Sequence, residues 1–336
     1  MDASLAAMYA NLFSEDAENK QPAEPLVAFN LEGTESEKRH LVELINRIAE
    51  NSPLGKAVLE EAAKTGCTLM MSSELRETTA GTANREKNII YLNRRRPDEK
   101  LVTTLVHECR HVCQFANGCA KEEKGELDIL SSVMQDRAME ADADAAAGVA
   151  AFQMAQKGDK EVLNAFAQCR PSVTAALHCE TKNRPDASQD ALMKAAFGAW
   201  YSNNPLKTAY EDSYYCKPLN AVMLRRGESS WSCGKSLSCE EISKRACLGG
   251  YLTDPSVLKS KDFCDLSEHT VQLLDKFFDV RQMRCGLPAD KSYKNCPVRR
   301  IQQTKSNDTG KSAKTEQSKK PVPQALSHLT SLSKGR

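Results

Sequence analysis

Apolar residues recur at helical spacing from about residue 36 onward, after a polar stretch at residues 1–35. The positions that fall on one helical face are Leu41, Leu44, Ile45 and Ile48. Residues three and four apart share a face, so this spacing predicts a helix. Pro53 suits the first turn of a second helix, and Gly66 suits its end. Residues 1–35 are predicted to be a flexible lead-in.

Two short apolar runs follow the second helix. Residues 68–71 form the first run, and residues 88–92 form the second, which is richer in β-branched and aromatic residues. Both runs predict strands. The polar residues 78–87 between them contain a glycine and predict a turn or loop. Residues 101–115 contain no proline and predict a third helix, so the predicted order is helix, helix, strand, strand, helix.

The rest of the chain reads as helix-rich up to about residue 200. The Ala-rich residues 126–157 predict one long helix, and shorter helices are predicted at 162–168, 172–179 and 188–200. Polar and Lys-rich residues, with prolines among them, predict a disordered tail at 302–336. The expected fold class is α+β, mostly helical with a small sheet.

Cysteine is unusually frequent, with thirteen residues in 336, and the odd count leaves at least one thiol unpaired. Seven lie in a region at 216–301 that is also rich in Ser, Lys and Gly: Cys216, Cys233, Cys239, Cys247, Cys264, Cys285 and Cys296. We therefore divide the chain into the lead-in, a main domain at 36–215, this Cys-rich region and the tail. The favoured interpretation of the thiols is apolar packing in reduced form. Disulfides and a structural metal are alternatives, although no Cys-x-x-Cys pair marks a zinc site.

Net charge gives no reason to expect nucleic acid as a partner. Lys and Arg total 46 and Asp and Glu total 45, which leaves a formal charge of +1. No run approaches the roughly 20 apolar residues of a membrane-spanning helix. The first residues lack the basic and apolar segments of a secretory signal. The expectation is a cytoplasmic protein, with non-classical export as the way to reconcile disulfides with this N-terminus.

The chemistry is concentrated in the motif His107-Glu108-Cys109-Arg110-His111. On a helix, residues four apart lie on one face, so two imidazoles can hold one zinc ion. The ion lowers the pKa of a bound water towards about 7, and Glu108 between the ligands can take its proton. The structural alternative is a pair of helix histidines that make core hydrogen bonds. The apolar, helix-compatible context favours the metal.

A catalytic zinc needs a third protein ligand, and three acids interrupt the apolar residues 137–145. Glu140 is the best candidate, because a buried carboxylate is costly without a partner. Asp144 shares its helical face and could accept the second ring N–H of a ligand histidine. Asp142 points about 160° away by helix geometry and is expected to face solvent. Asp144 or Asp136 as the third ligand, and three acids on a solvated face, are the alternatives.

These residues resemble the gluzincin metallopeptidases, of which thermolysin is the familiar member. More closely, they resemble a bacterial putative metallopeptidase domain of unknown function. The likeness rests on Tyr91-Leu92, on the five-residue motif at 107–111 and on residues 140–143, and it covers about residues 40–215. Met139 is a departure, since the thermolysin type has Asn before the third-ligand Glu.

The resemblance implies a zincin-like core with zinc held by His107, His111 and Glu140 and with Glu108 catalytic. It also implies that the strand at 89–92 edges the cleft, where a peptide substrate could add as an extra strand.

We therefore predict a zinc-dependent metallopeptidase that hydrolyses a peptide or protein substrate. A non-catalytic Cys-rich interaction protein with a degenerate zincin core is one alternative. An exported effector or toxin peptidase is another, and it would account for the cysteines.

Three further features receive structural interpretations. The aromatic residues between 200 and 215 are expected to pack, although a Tyr hydroxyl near the oxyanion is a common need of zinc peptidases. His178 is expected at the surface or in the core rather than as a ligand. Arg110 is expected to pair with an acid.

Overall fold

A computed structural model describes residues 24–122, 125–225 and 233–300. The fold is mostly helical with a small sheet, consistent with the predicted α+β class. The predicted disordered tail and residues 1–23 of the predicted lead-in lie outside the described residues. None of the helices in the described part is long and apolar enough to cross a membrane.

The main sheet has four strands. They are β1 (Asn30–Glu32), β2 (Thr68–Ser72), β3 (Gly81–Asn84) and β4 (Ile89–Asn93). Their order is β1-β2-β4-β3, with the first three parallel and β3 antiparallel to β4. The two predicted strands are confirmed. The loop expected at 78–87 is wrong in its middle, because β3 is held by pairing with β4 although only one of its four residues is β-branched.

The position of β4 corrects the expectation that residues 89–92 edge the cleft. β4 is paired on both sides, and β3 is the edge strand on this side of the sheet. Gly81 lets β3 lie close to the helix that follows the sheet, since a Cβ there would be 2.5 Å from the Cγ2 of Thr104. A strand that was missed in the sequence therefore separates β4 from the open edge.

The first two predicted helices are confirmed as α1 (Glu35–Asn51) and α2 (Pro53–Lys64). Thr34 and Glu37 form a capping box at the start of α1, so two otherwise unpaired N–H groups are satisfied. Ser52 caps α2, whose first residue is the predicted Pro53.

Two long helices carry the motif residues. They are α3 (Asp98–Ala116) and α4 (Ile129–Gln156). The middle of α4 is buried on every side, so it is the central helix of the fold rather than an amphipathic surface helix. α3 packs between α4 and the sheet, where it contacts β3 and β4.

Three further helices of the predicted main domain pack against α4, and they are α5 (Lys160–Cys169), α6 (Pro171–Asn183) and α7 (Gln189–Trp200). They are followed by α8 (Asn204–Glu211) and a π-helical turn (Asp212–Cys216), after which α9 (Lys217–Arg225) lies in the predicted Cys-rich region. The three short helices predicted at 162–168, 172–179 and 188–200 are confirmed as α5, α6 and α7.

The described part of the Cys-rich region packs partly onto the main hydrophobic cluster and partly, through residues such as Leu274 and Phe277, into a second cluster. Its elements are α10 (Cys239–Ala246), α11 (Lys261–Cys264), β5 (Leu266–Ser267), α12 (Glu268–Cys285) and β6 (Val298–Arg299), with short 3-10 turns at Pro255–Lys259 and Ser292–Asn295. Ile242 and Ala246 of α10 are fully buried in the main hydrophobic cluster. All thirteen cysteines are free thiols, and ten are buried.

Candidate metal centre

Three side chains from α3 and α4 converge on one point. His107 and His111 lie one turn apart on α3, and their Nε2 atoms are 2.9 Å apart. From α4, the Oε2 atom of Glu140 lies 3.6 Å from Nε2 of His107 and 3.7 Å from Nε2 of His111. Within the described residues, no other group of three or more His, Cys, Asp or Glu side chains meets so closely.

The donor set and its spacing fit zinc. Bonds of about 2.0–2.1 Å at tetrahedral angles place two ligand atoms about 3.4 Å apart, and the three observed separations lie on both sides of that value. Two imidazoles and one carboxylate are ligands that zinc accepts, and three protein ligands leave a fourth position for water or substrate.

Asp144 holds the first histidine from behind. Its Oδ1 atom lies 3.1 Å from Nδ1 of His107. The same carboxylate accepts the Nε1–H of Trp200 at 2.9 Å and pairs with the guanidinium of Arg170. Burial would raise the pKa of Asp144, but Arg170 and His107 outweigh it and lower that pKa to about 2. A carboxylate on the second ring nitrogen orients the imidazole and increases its basicity.

The candidate ligand groups shift one another's pKa values. Burial lowers the pKa of His107, but Asp144 and Glu140 outweigh it and raise that pKa to about 10. Burial raises the pKa of Glu140, and the two histidines more than reverse this, so its pKa lies well below the usual range. A metal ion held by His107 would have to displace this proton, so its affinity would depend on pH.

Glu108 lies beside the ligands and is buried, with 7% of its surface exposed. Its Oε2 atom accepts the backbone N–H of Ala83 on β3 at 2.8 Å. Burial raises its pKa, and His107 and His111 reduce that rise. A carboxylate with a raised pKa is suited to take and return a proton near neutral pH.

Two tyrosines hold the carboxylate of Glu140. The hydroxyl of Tyr210 donates to Oε2 at 2.7 Å, and that of Tyr214 donates to Oε1 at 2.8 Å. Tyr210 lies on α8 and Tyr214 lies in the π-helical turn that follows it. Such turns are frequent at functional sites.

A pocket of about 50 Å³ opens beside the site. Its lining includes His107 and Glu108 from the motif, Thr104 one turn before them, and Phe166 and Arg170 across from α3. The pocket therefore has polar groups at its metal-site end and an apolar wall from α5.

The three side chains could hold a metal ion, and a comparison with known protein families bears on this site. A model described as Putative metallopeptidase family (DUF6782) matches residues 20–231. The chain belongs to this family. No curated protein and no solved structure matches the chain.

All the site residues described above lie inside the stretch that the DUF6782 family model covers. Of the residues that the sequence singles out, the structure brings together the three candidate ligands, Glu108 and Asp144. The alternative third ligands are placed differently. Asp136 accepts the hydroxyl of Tyr215 at 2.7 Å and is not part of the ligand group, while Asp144 stands behind His107.

The expectation for Asp142 in this DUF6782 chain is wrong. Its side chain is fully buried and forms an ion pair with Arg110, whose Nε donates at 2.6 Å. The prediction assumed that one face of α4 meets solvent, whereas other elements cover α4 on every side. His178 is exposed and packs edge-on against Phe152, away from the ligand group.

Sequence reasoning treated the two tyrosines on Glu140 as packing residues and overlooked Gln114 behind His111. Gln114 lies three residues after His111 on α3, so helix geometry alone places it beside that ligand. The two tyrosines come from α8 and the turn after it, and only the tertiary fold brings them to Glu140. The spacing of Tyr210 and Tyr214, four residues apart, was the one local signal that they share a face.

Proposed function

We propose that this chain is a zinc-dependent peptidase of the gluzincin type, with a zincin-like core. His107, His111 and Glu140 hold the zinc, and Glu108 is the general base. The observation that carries the proposal is the convergence of the three ligand atoms from two helices, with the carboxylate of Glu108 beside them. The substrate class is a peptide or protein.

The roles of the protein groups follow from their positions. Zinc bound there supplies a Lewis acid that polarises a carbonyl and acidifies a water. Glu108 takes the proton of the attacking water and returns it to the leaving amine nitrogen. Ala83 keeps the Glu108 carboxylate in place through its N–H. Tyr210 and Tyr214 hold Glu140 so that it presents Oε2 to the two histidines.

The edge strand supports a peptide as substrate. The N–H of Ala83 points away from β4 and towards Glu108, so the outer edge of β3 runs along the general base. The N–H of Ala83 is already bonded to Glu108, so an extended peptide would add to this edge through its other main-chain groups. The pocket lined by Thr104, Phe166 and Arg170 then receives one substrate side chain.

The first test is zinc content by elemental analysis of the purified wild type, His111→Ala and Glu140→Ala. We expect one zinc per chain in the wild type and its loss in both variants. Retention in both variants would place the metal elsewhere. An absence of zinc from the wild type after reconstitution would favour the non-catalytic interaction protein instead.

The second test is turnover of a mixed peptide library, read by mass spectrometry. Glu108→Gln should keep zinc and lose cleavage by several orders of magnitude, because the general base is gone. Cleavage that survives this substitution would refute the role given to Glu108.

A further inference from the structure

The second histidine of the candidate ligand group is backed by an amide rather than by a carboxylate. His107 is backed by Asp144, but the Nδ1 atom of His111 lies 2.8 Å from the side-chain Oε1 of Gln114. We propose that Gln114 is a positioning residue that fixes the ring orientation and tautomer of His111 and so raises the affinity for zinc. The proposal rests on the proposed function, since it assigns His111 to the metal.

The orientation of the Gln114 amide follows from its other partners. Its Nε2 atom lies 3.0 Å from the carbonyl oxygen of Met139, 2.9 Å from Oδ2 of Asp142 and 2.9 Å from the carbonyl oxygen of Ala246. All three partners can only accept hydrogen bonds. The opposite orientation would set an oxygen against three acceptors in a site with no exposed surface. The NH2 group therefore faces these acceptors, and the oxygen faces His111.

This orientation determines which ring nitrogen of His111 carries a hydrogen. The Oε1 atom of Gln114 can only accept, so Nδ1 of His111 must carry a hydrogen. The other nitrogen, Nε2, then presents its lone pair to the ligand group, as a neutral metal-binding imidazole must. Without Gln114, the hydrogen of the neutral His111 ring could lie on either nitrogen. Only the form with the hydrogen on Nδ1 leaves Nε2 free to bind a metal.

The acceptors of Gln114 are themselves held firmly. Asp142 pairs with Arg110, whose Nε and Nη2 atoms donate at 2.6 and 3.0 Å, and it accepts the hydroxyl of Tyr251 at 2.8 Å. The charge of Asp142 is thus balanced by Arg110 and does not act directly on His111. From Met139, Gln114 takes only the backbone oxygen.

Two substitutions separate positioning from simple packing. Gln114→Met keeps the length of the side chain and removes the acceptor for His111. Gln114→Glu keeps an oxygen facing His111 but loses the donor to Met139, Asp142 and Ala246. Both variants therefore lose the structural contacts, and only the first loses the contact with the ligand.

The measurement is zinc affinity by competition with a chelator, on protein shown to be folded by circular dichroism. For Gln114→Met we expect zinc binding about 10- to 100-fold weaker than wild type, the range seen when partners of metal ligands are removed. For Gln114→Glu we expect zinc affinity within about threefold of wild type. Of the two variants, Gln114→Glu should have the lower thermal stability, because its carboxylate lies against that of Asp142. Equal losses in both variants, or none in Gln114→Met, would overturn the proposal.

A measurement on the wild type keeps the test decisive if the variants do not fold. In zinc-loaded protein with 15N-labelled histidine, the Nδ1–H of His111 should exchange slowly with solvent, because it is bonded to Gln114. Rapid exchange would overturn the proposal. Failure of the proposed function looks different, since the wild type would then bind no zinc at this site at all.

Discussion

Replacing Asp144 with Asn should both destabilise the fold and weaken zinc binding, for separate reasons. Asp144 and Arg170 are almost completely buried, with exposed fractions of 3% and 8%. In Asp144→Asn the guanidinium of Arg170 keeps a hydrogen bond to the carbonyl of Cys169 but loses its counter-charge. Removing one partner of a buried ion pair costs about 3–5 kcal/mol. For zinc, a neutral acceptor on His107 should weaken binding about 10-fold or more, which corresponds to about 1.4 kcal/mol.

Two assays and a double variant separate these effects. Urea unfolding of the metal-free protein gives the free energy of unfolding, and chelator competition gives zinc affinity. Asp144→Asn combined with Arg170→Met has no unpaired buried charge, so it should recover much of the lost stability but none of the lost affinity. A loss below about 1 kcal/mol in Asp144→Asn would refute the reasoning on the buried pair. Recovery of zinc affinity in the double variant would refute the role of Asp144 behind His107.

Three further outcomes follow from burial. Burial raises the pKa of Glu108 above 4.5 in the metal-free protein, so the folded state binds this proton more tightly and loses stability as pH rises through the folded pKa. Metal-free Glu108→Gln should therefore be more stable than wild type at pH 7 and similar near pH 4, by urea unfolding at each pH. In a thiol titration, Cys179 and Cys285 should react quickly, and all thirteen thiols should react after denaturation; a lower final count would reveal disulfides. A chain that ends at residue 232 should lose cooperative thermal unfolding, because it lacks the fully buried Ile242 and Ala246 of α10.

The sequence predicts what depends on the geometry of a single helix. His107 and His111 share a face because they are four apart, and the same spacing relates Glu140 to Asp144. Pro53 likewise marks the start of α2 through the geometry of a single turn. These features need no knowledge of the tertiary fold, so a pattern of residue types is enough to place them.

Features that depend on pairing between distant segments were not predicted. β3 has weak strand propensity and exists because β4 pairs with it. Asp142 was assigned to solvent because the angle around α4 was taken as a guide to exposure, and that guide fails for a helix that is covered on all sides. Gln114 lies within one turn of His111, but its orientation is set by Met139, Asp142 and Ala246, which lie on other segments of the chain.

The C-terminal region supplies hydrogen bonds to residues behind the proposed metal site. These contacts bear on where a catalytic core could end. The carbonyl of Ala246 accepts from Gln114, the carbonyl of Leu248 accepts from Arg110, and the hydroxyl of Tyr251 donates to Asp142. These three groups lie beyond residue 231, where the family match ends. A catalytic core that is bounded by the family match would therefore leave buried polar groups of Gln114 and Asp142 short of partners, at a cost of about 1–3 kcal/mol for each unsatisfied group. The Cys-rich region thus supports the proposed metal site through backbone and hydroxyl groups rather than through its thiols.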